Sequence, residues 1–176
     1  MRAVAFLRAV NVGGRNRVPM KELRDVFESL GLGDVRTYVQ SGNVVFTAPS
    51  RGAGTLANEL EKAVADSFGV KAKVLLRTKS QLDKVASRHP FAADDPEPTH
   101  LHVLFLHDRP SKANIGRLEQ DRFLPDRFVV KGQEVFVHYP NGQGRSKLTI
   151  DYFERRLDTV GTARNWKTVQ TVRDML

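Results

Sequence analysis

The order in which apolar runs and helical stripes follow one another constrains this chain most. Residues 2–10 read as a strand, and Pro19 then suits the first turn of a helix, because its missing N–H costs nothing there. Leu23, Val26, Phe27 and Leu30 form a helical stripe that Gly31 or Gly33 ends. Residues 35–40 and 44–47 read as two strands joined at Gln40-Ser41-Gly42-Asn43, a hairpin. Leu56, Leu60, Ala63, Val64 and Phe68 mark a second helix, and residues 70–76 a fourth strand. This β-α-β-β-α-β order is the split unit of ferredoxin-like folds.

A linking helix is expected over residues 81–88, started by a Ser80 cap. The stretch from Pro90 to Pro98 holds three prolines and three acids, the best domain boundary. Strands follow at 100–106, 127–130 and 134–139, with a helix at 112–120. Residues 148–157 and 163–176 read as helices capped by Thr149 and Thr162. The second half thus gives β-α-β-β-α and an extra helix. The expectation is an α+β protein of two ferredoxin-like subdomains with antiparallel sheets, residues 1–88 and 89–176. The element order repeats, but no sequence repeat is evident.

Charge is unevenly shared. The net charge is +8, and residues 1–88 carry 15 Lys and Arg against 8 Asp and Glu, whereas 89–176 carry 13 against 12. A basic half favours an acidic partner, nucleic acid included. The chain has no cysteine, which excludes disulfides and thiolate chemistry and fits a reducing cytoplasm. No apolar run approaches the ~18 residues of a membrane span, and the start of the chain is too short and too interrupted by Arg8 for a secretory signal. No membrane partner is expected.

Four clusters combine glycine, amide and cation. In the first, Arg8, Asn11, Gly13, Gly14, Arg15 and Arg17 lie between a strand and a helix, where backbone N–H groups and a helix start can meet a phosphate. It lacks the Lys-Ser/Thr of a P-loop and the G-x-G-x-x-G spacing, which argues against a nucleoside triphosphatase. The second, Gln40, Ser41, Gly42 and Asn43, is also ordinary turn chemistry, and Ser41 has no evident base. The third runs from Asn141 through Gly142, Gly144, Arg145, Ser146 and Lys147 into a capped helix, an anion cradle in outline. In the fourth, Arg164 and Asn165 precede Trp166, whose spacing with Val169, Val172 and Leu176 marks it as core.

Period two places Phe6 with Arg8, and Arg36 with Tyr38 and Gln40, on sheet faces. Such a face resembles the base-stacking sheets of RNA-recognition domains but lacks their aromatic density; packing against the other half is favoured. His100 and His102 share a strand face without ligands at metal spacing, and Asp94, Asp95 and Glu97 read as a solvated linker. No metal site, cofactor or acid–base pair is therefore expected, and no catalytic residue is named.

Taken together, several segments resemble the bacterial domain-of-unknown-function family 1697: Phe6-Leu7-Arg8-Ala9-Val10-Asn11-Val12-Gly13-Gly14, Gln40 to Phe46, Gly144 to Thr149, Phe153 to Leu157 and Ala163 to Thr168. The family often has Gly at the place of Ala9 and Asn at that of Lys167. The resemblance implies a soluble bacterial protein with two ferredoxin-like subdomains and no established activity. The residues themselves favour binding of a phosphate-bearing ligand, nucleic acid or nucleotide, by Arg8, Asn11, Gly13, Gly14, Arg15, Arg17, Gln40, Ser41, Asn43, Arg145, Lys147, Arg164 and Asn165. The alternatives are an enzyme on a small anionic substrate in a cleft between the halves, and an interaction module pairing through an open sheet around Phe6 and Tyr38. The oligomeric state is left open.

Overall fold

A computed structural model describes residues 1–49 and 52–176. The chain divides into two compact units, one formed by Met1–Asp83 with Thr171–Leu176, the other by Lys84–Gln170.

The first unit contains β1 (Arg2–Leu7), α1 (Met20–Ser29), β2 (Gly33–Tyr38), β3 (Asn43–Thr47), α2 (Ala53–Phe68) and β4 (Val74–Thr78). Its sheet has the order β2-β3-β1-β4, and every neighbouring pair is antiparallel. Each helix returns the chain past one intervening strand, the ferredoxin-like arrangement. Met20, Leu23 and Phe27 of α1 and Leu56, Leu60 and Val64 of α2 meet Ala3, Ala5, Leu7, Val44 and Phe46 in one core. The first strand is shorter than the expected 2–10, because Ala9 (φ 56°) and Asn11 (φ 53°) turn the backbone left-handed after Leu7. The fourth strand begins at Val74 rather than Val70.

Both faces of β1 are covered. Ala3 to Leu7 are all buried, and Phe6 is 0% exposed. The face around Phe6 is therefore buried rather than open. The end of the chain lies in this unit, where the Arg36 guanidinium donates to the Met175 carbonyl.

Next come α3 (Lys79–Ala86), β5 (Leu101–Leu106), the short α4 (Lys112–Ile115), a 3₁₀ turn at Gln120–Phe123, β6 (Arg127–Lys131), β7 (Glu134–His138), a 3₁₀ turn at Gln143–Arg145, α5 (Ile150–Leu157), β8 (Gly161–Asn165) and α6 (Trp166–Met175). The second sheet, β6-β7-β5-β8, repeats the order of the first, again antiparallel throughout. Phe128, Tyr139, Tyr152 and Phe153 dominate its core with Leu104, Leu106 and Leu157.

Residues 161–165 are a strand where a helix was expected. Thr162 is therefore no cap; the Asn165 side chain accepts from the Thr168 N–H and starts α6 instead. The fourth strand of each unit runs into a helix with no intervening residue. In the first unit Thr78 Oγ1 accepts from the Gln81 N–H while Gln81 Oε1 accepts from the Thr78 N–H. This capping box replaces the expected Ser80 cap. Thr149 caps α5 as read, accepting from the Tyr152 N–H. The expected helix over 112–120 stops at Ile115.

One buried arginine recurs as well. Arg77 stands opposite Val4 in the first sheet, and Arg164 opposite Val103 in the second. Each donates through Nη1 to the carbonyl of the residue before it.

Candidate functional site

The loop from Asn11 to Arg17 is a small hairpin of its own. The Asn11 N–H donates to the Asn16 carbonyl, and the Arg15 N–H to that of Val12. Gly13 (φ 56°) and Gly14 (φ 73°) occupy the two central positions, both left-handed, as a type I′ turn requires. The glycines serve the turn. The Asn11 side chain is fully engaged: its Nδ2 donates to the carbonyls of Val18 and Gln40, each at 2.8 Å, and its Oδ1 accepts from the Val18 N–H. It sews this hairpin to the Gln40–Asn43 turn, so the structure does bring these two predicted clusters together.

That second turn is equally structural. A Cβ added at Gly42 would sit 2.5 Å from Val10 Cγ2 and 2.8 Å from Leu7 Cβ, so only glycine admits this approach. Asn43, wholly buried, donates to the Tyr38 carbonyl and to Ser41 Oγ. Arg8 is half-buried, and its N–H donates to the Lys73 carbonyl. At the tip the guanidinium groups of Arg15 and Arg17 stay exposed without a partner among the described residues.

The fourth cluster is internal. Arg164 donates through Nη1 to Thr162 Oγ1 at 2.7 Å and to the Ala163 carbonyl, and burial pushes its guanidinium down to about 10. Asn165 is spent on its cap.

The third cluster is different. A cleft of about 500 Å³ in the second unit is lined by Arg122 to Asp126 and by Asn141, Gly142, Arg145, Ser146 and Lys147. The loop is braced from within: the N–H groups of Gly142, Arg145 and Ser146 donate to the carbonyls of Tyr139, Gly142 and Gln143. Ser146 Oγ donates to Asp126 Oδ2 at 2.5 Å and accepts from the Leu148 N–H. The serine is thereby held as a strut, and the buried Asp126 carboxylate is satisfied. Arg122 pairs with Glu119 at 2.8 Å and lies over the Phe123 ring. The side-chain cations of Arg145 and Lys147 are exposed and have no partner among the described residues. Three of the loop's backbone N–H groups are thus engaged internally, and the side-chain cations carry the field.

A further cluster in the same unit escaped the sequence reading. Asp95 is no solvated linker residue, since its Oδ2 meets His100 Nδ1 at 2.8 Å and His138 Nε2 at 3.0 Å, and its Oδ1 accepts from the Glu97 N–H. The hydrogen bonds from His138 and His100 hold the Asp95 carboxyl well below the usual carboxylate range. Arg127 donates to His138 Nδ1 and pairs with Asp94. An arginine can only donate, so Nδ1 of His138 accepts and its proton sits on Nε2, toward Asp95. Phe91 stacks on His138 and lies under Arg127. The network clamps residues 91–100 onto the second sheet. It is an acid–base assembly that needed the register of β5, β6 and β7 to be seen, and no spacing in the sequence announces it. Among the described residues, no group of three or more His, Cys, Asp or Glu is arranged to hold a metal ion.

His89 and His102 are interior, whereas His107 is exposed and pairs with Asp108. His89 Nε2 donates to the His102 carbonyl, and its ring sits among Phe91, Phe136 and Trp166. Burial pushes His89 and His102 down to about 4 each. His102 Nδ1 is buried without a hydrogen-bond partner among the described residues.

Two ferredoxin-like units, one with a basic cleft and a histidine–carboxylate clamp, define an α+β protein whose polar chemistry gathers in its second unit. The chain belongs to the family of proteins of unknown function DUF1697, whose model matches residues 1–136. The cleft loop at 141–147 lies beyond the matched span. A solved structure, that of the conserved bacterial protein SP0830 from Streptococcus pneumoniae, is similar over 99% of this chain and 97% of its own, with a TM-score of 0.69 and 22% identity. At that identity the likeness speaks to the fold alone. No curated protein matches the chain. Among the described residues no helix is long and apolar enough to cross a membrane.

Proposed function

We propose that this protein binds a phosphate-bearing ligand in the cleft of the second unit. One observation carries the reading: Arg145 and Lys147, both exposed and without a carboxylate partner among the described residues, line one cleft with Asn141. Cations of this kind attract phosphate, and an arginine offers it a planar fork of donors. The one carboxylate in the lining, Asp126, is turned to Ser146.

Titration of the whole chain with pyrophosphate, followed by amide NMR, tests this. Shifts are expected at residues 141–147, lost in the Arg145→Glu/Lys147→Glu variant whose remaining spectrum is unchanged. A spectrum indifferent to millimolar pyrophosphate rejects the reading.

A second reading rests on the first unit. Arg15 and Arg17 project from a hairpin tip beside Val12, which is 63% exposed. Such a tip suits a nucleic-acid backbone, with binding that weakens steeply as salt rises.

A further inference from the structure

The cleft is larger than a phosphate group, and its lining is mixed. Phe123-Leu124-Pro125 line the same cleft as Arg145 and Lys147. Leu124 is 61% exposed, one of few large apolar side chains left to solvent. The Phe123 ring is fixed at its edge by Tyr152 and covered by the Arg122 guanidinium. An anion seated on the two cations therefore leaves an apolar shelf and an arginine beside it unfilled.

We propose that the ligand is a mononucleotide, its phosphate on Arg145 and Lys147 and its base on the shelf formed by Leu124, Pro125 and Arg122. This rests on the phosphate reading given above. A flat base suits the site better than the other groups that phosphates carry. Bases pack on apolar side chains and on guanidinium planes alike. Asn141, also in the lining, offers both an amide donor and an acceptor to a base edge. A sugar alone would leave the shelf wet. An alkyl chain would leave the Asn141 amide without a polar partner. The volume, about 500 Å³, lies within the range of sites for small ligands.

The experiment compares AMP, ribose 5-phosphate, octyl phosphate and adenosine on the full chain by calorimetry, with amide NMR to locate each. AMP is expected to bind about tenfold more tightly than ribose 5-phosphate, the contribution of one stacked base. Leu124→Ser should bring AMP down to the level of ribose 5-phosphate and leave the latter unchanged. Arg145→Glu/Lys147→Glu should weaken both. Equal affinity for AMP and ribose 5-phosphate overturns the base shelf but not the phosphate reading. Octyl phosphate binding as tightly as AMP overturns the nucleotide in favour of an alkyl ligand. Adenosine binding as well as AMP overturns the phosphate reading too, as does the absence of any shift at residues 141–147 with all four.

Discussion

The two units share one strand order, a buried arginine on the fourth strand and a capped strand-to-helix junction, but little else in their chemistry. All five histidines lie between residues 89 and 138, in the second unit, and the first unit has none. The Gly/Asn clusters of the first unit are consumed by its turns, with Asn11 and Asn43 bonded to the backbone around them. The glycine loop of the second unit is braced by its own backbone and turns its cations to a cleft. Similar composition therefore serves closure in one place and exposure in the other. The distinction lies in which side chains keep an unspent donor.

Acid should separate the units most. His89 and His102 ionise near 4 in the folded chain against 6.5 as the ordinary value, because burial disfavours their charged forms. Between those values the unfolded chain binds protons that the folded chain refuses, so stability is full above about pH 6.5 and falls as pH drops toward 4. Each histidine should contribute a loss on the order of 2 kcal/mol by pH 4.5. Residue-resolved hydrogen exchange at pH 7 and pH 4.5, corrected for intrinsic rates, should show the second unit opening while the first holds. Equal loss in both units would remove the contrast.

A smaller effect should strike the first unit. Gly42→Ala places a methyl against Val10 and Leu7 at a backbone φ of 71°, and should cost about 3 kcal/mol. Gly144→Ala, with nothing within 4 Å of the added carbon, is the control and should be near neutral. Urea unfolding measures both, and equal midpoints would show that the close approach is not binding on the fold.

The smallest effect should be the one the units share. Thr78→Ala and Asn165→Ala each remove the cap at a strand-to-helix junction and should each cost about 1 kcal/mol. Thermal unfolding of the two variants checks this. A much larger loss at one junction would break the parallel between them.

Most of the fold was legible from period and punctuation. The first unit's elements follow from Leu23, Phe27, Leu56, Leu60 and Val64 at helical spacing and from the apolar runs of β1 and β3. The strand at 161–165 was not legible: Thr162, Ala163, Arg164 and Asn165 show no apolar alternation, and Trp166, Val169 and Val172 continue so clear a helical stripe that they drew the boundary backward. The structure makes it a strand because β5 needs a second neighbour. The recurrence of Arg77 and Arg164 is a matter of register, and one shared residue is too little to surface as a repeat. Of the candidate site, Arg145 and Lys147 were legible as cations in a glycine loop. The part of the lining at residues 122–126 was not, because no local pattern says which loops a fold will bring together. The Asp95 clamp was hidden for the same reason, its partners being 5 and 43 residues away.

The division of the chain also has a consequence for its synthesis. The first unit takes residues 1–83 and then, after the whole second unit, residues 171–176. On a ribosome the chain emerges in order, at roughly 5–20 residues per second. The sheet and both helices of the first unit are therefore made several seconds before its last turn, which brings the carbonyl that Arg36 binds and the buried Leu176. Throughout that interval the nascent unit waits unfinished. The unit made first is thus completed only after the residues of the second have been made, and a chain ended before residue 171 lacks the segment that completes the first.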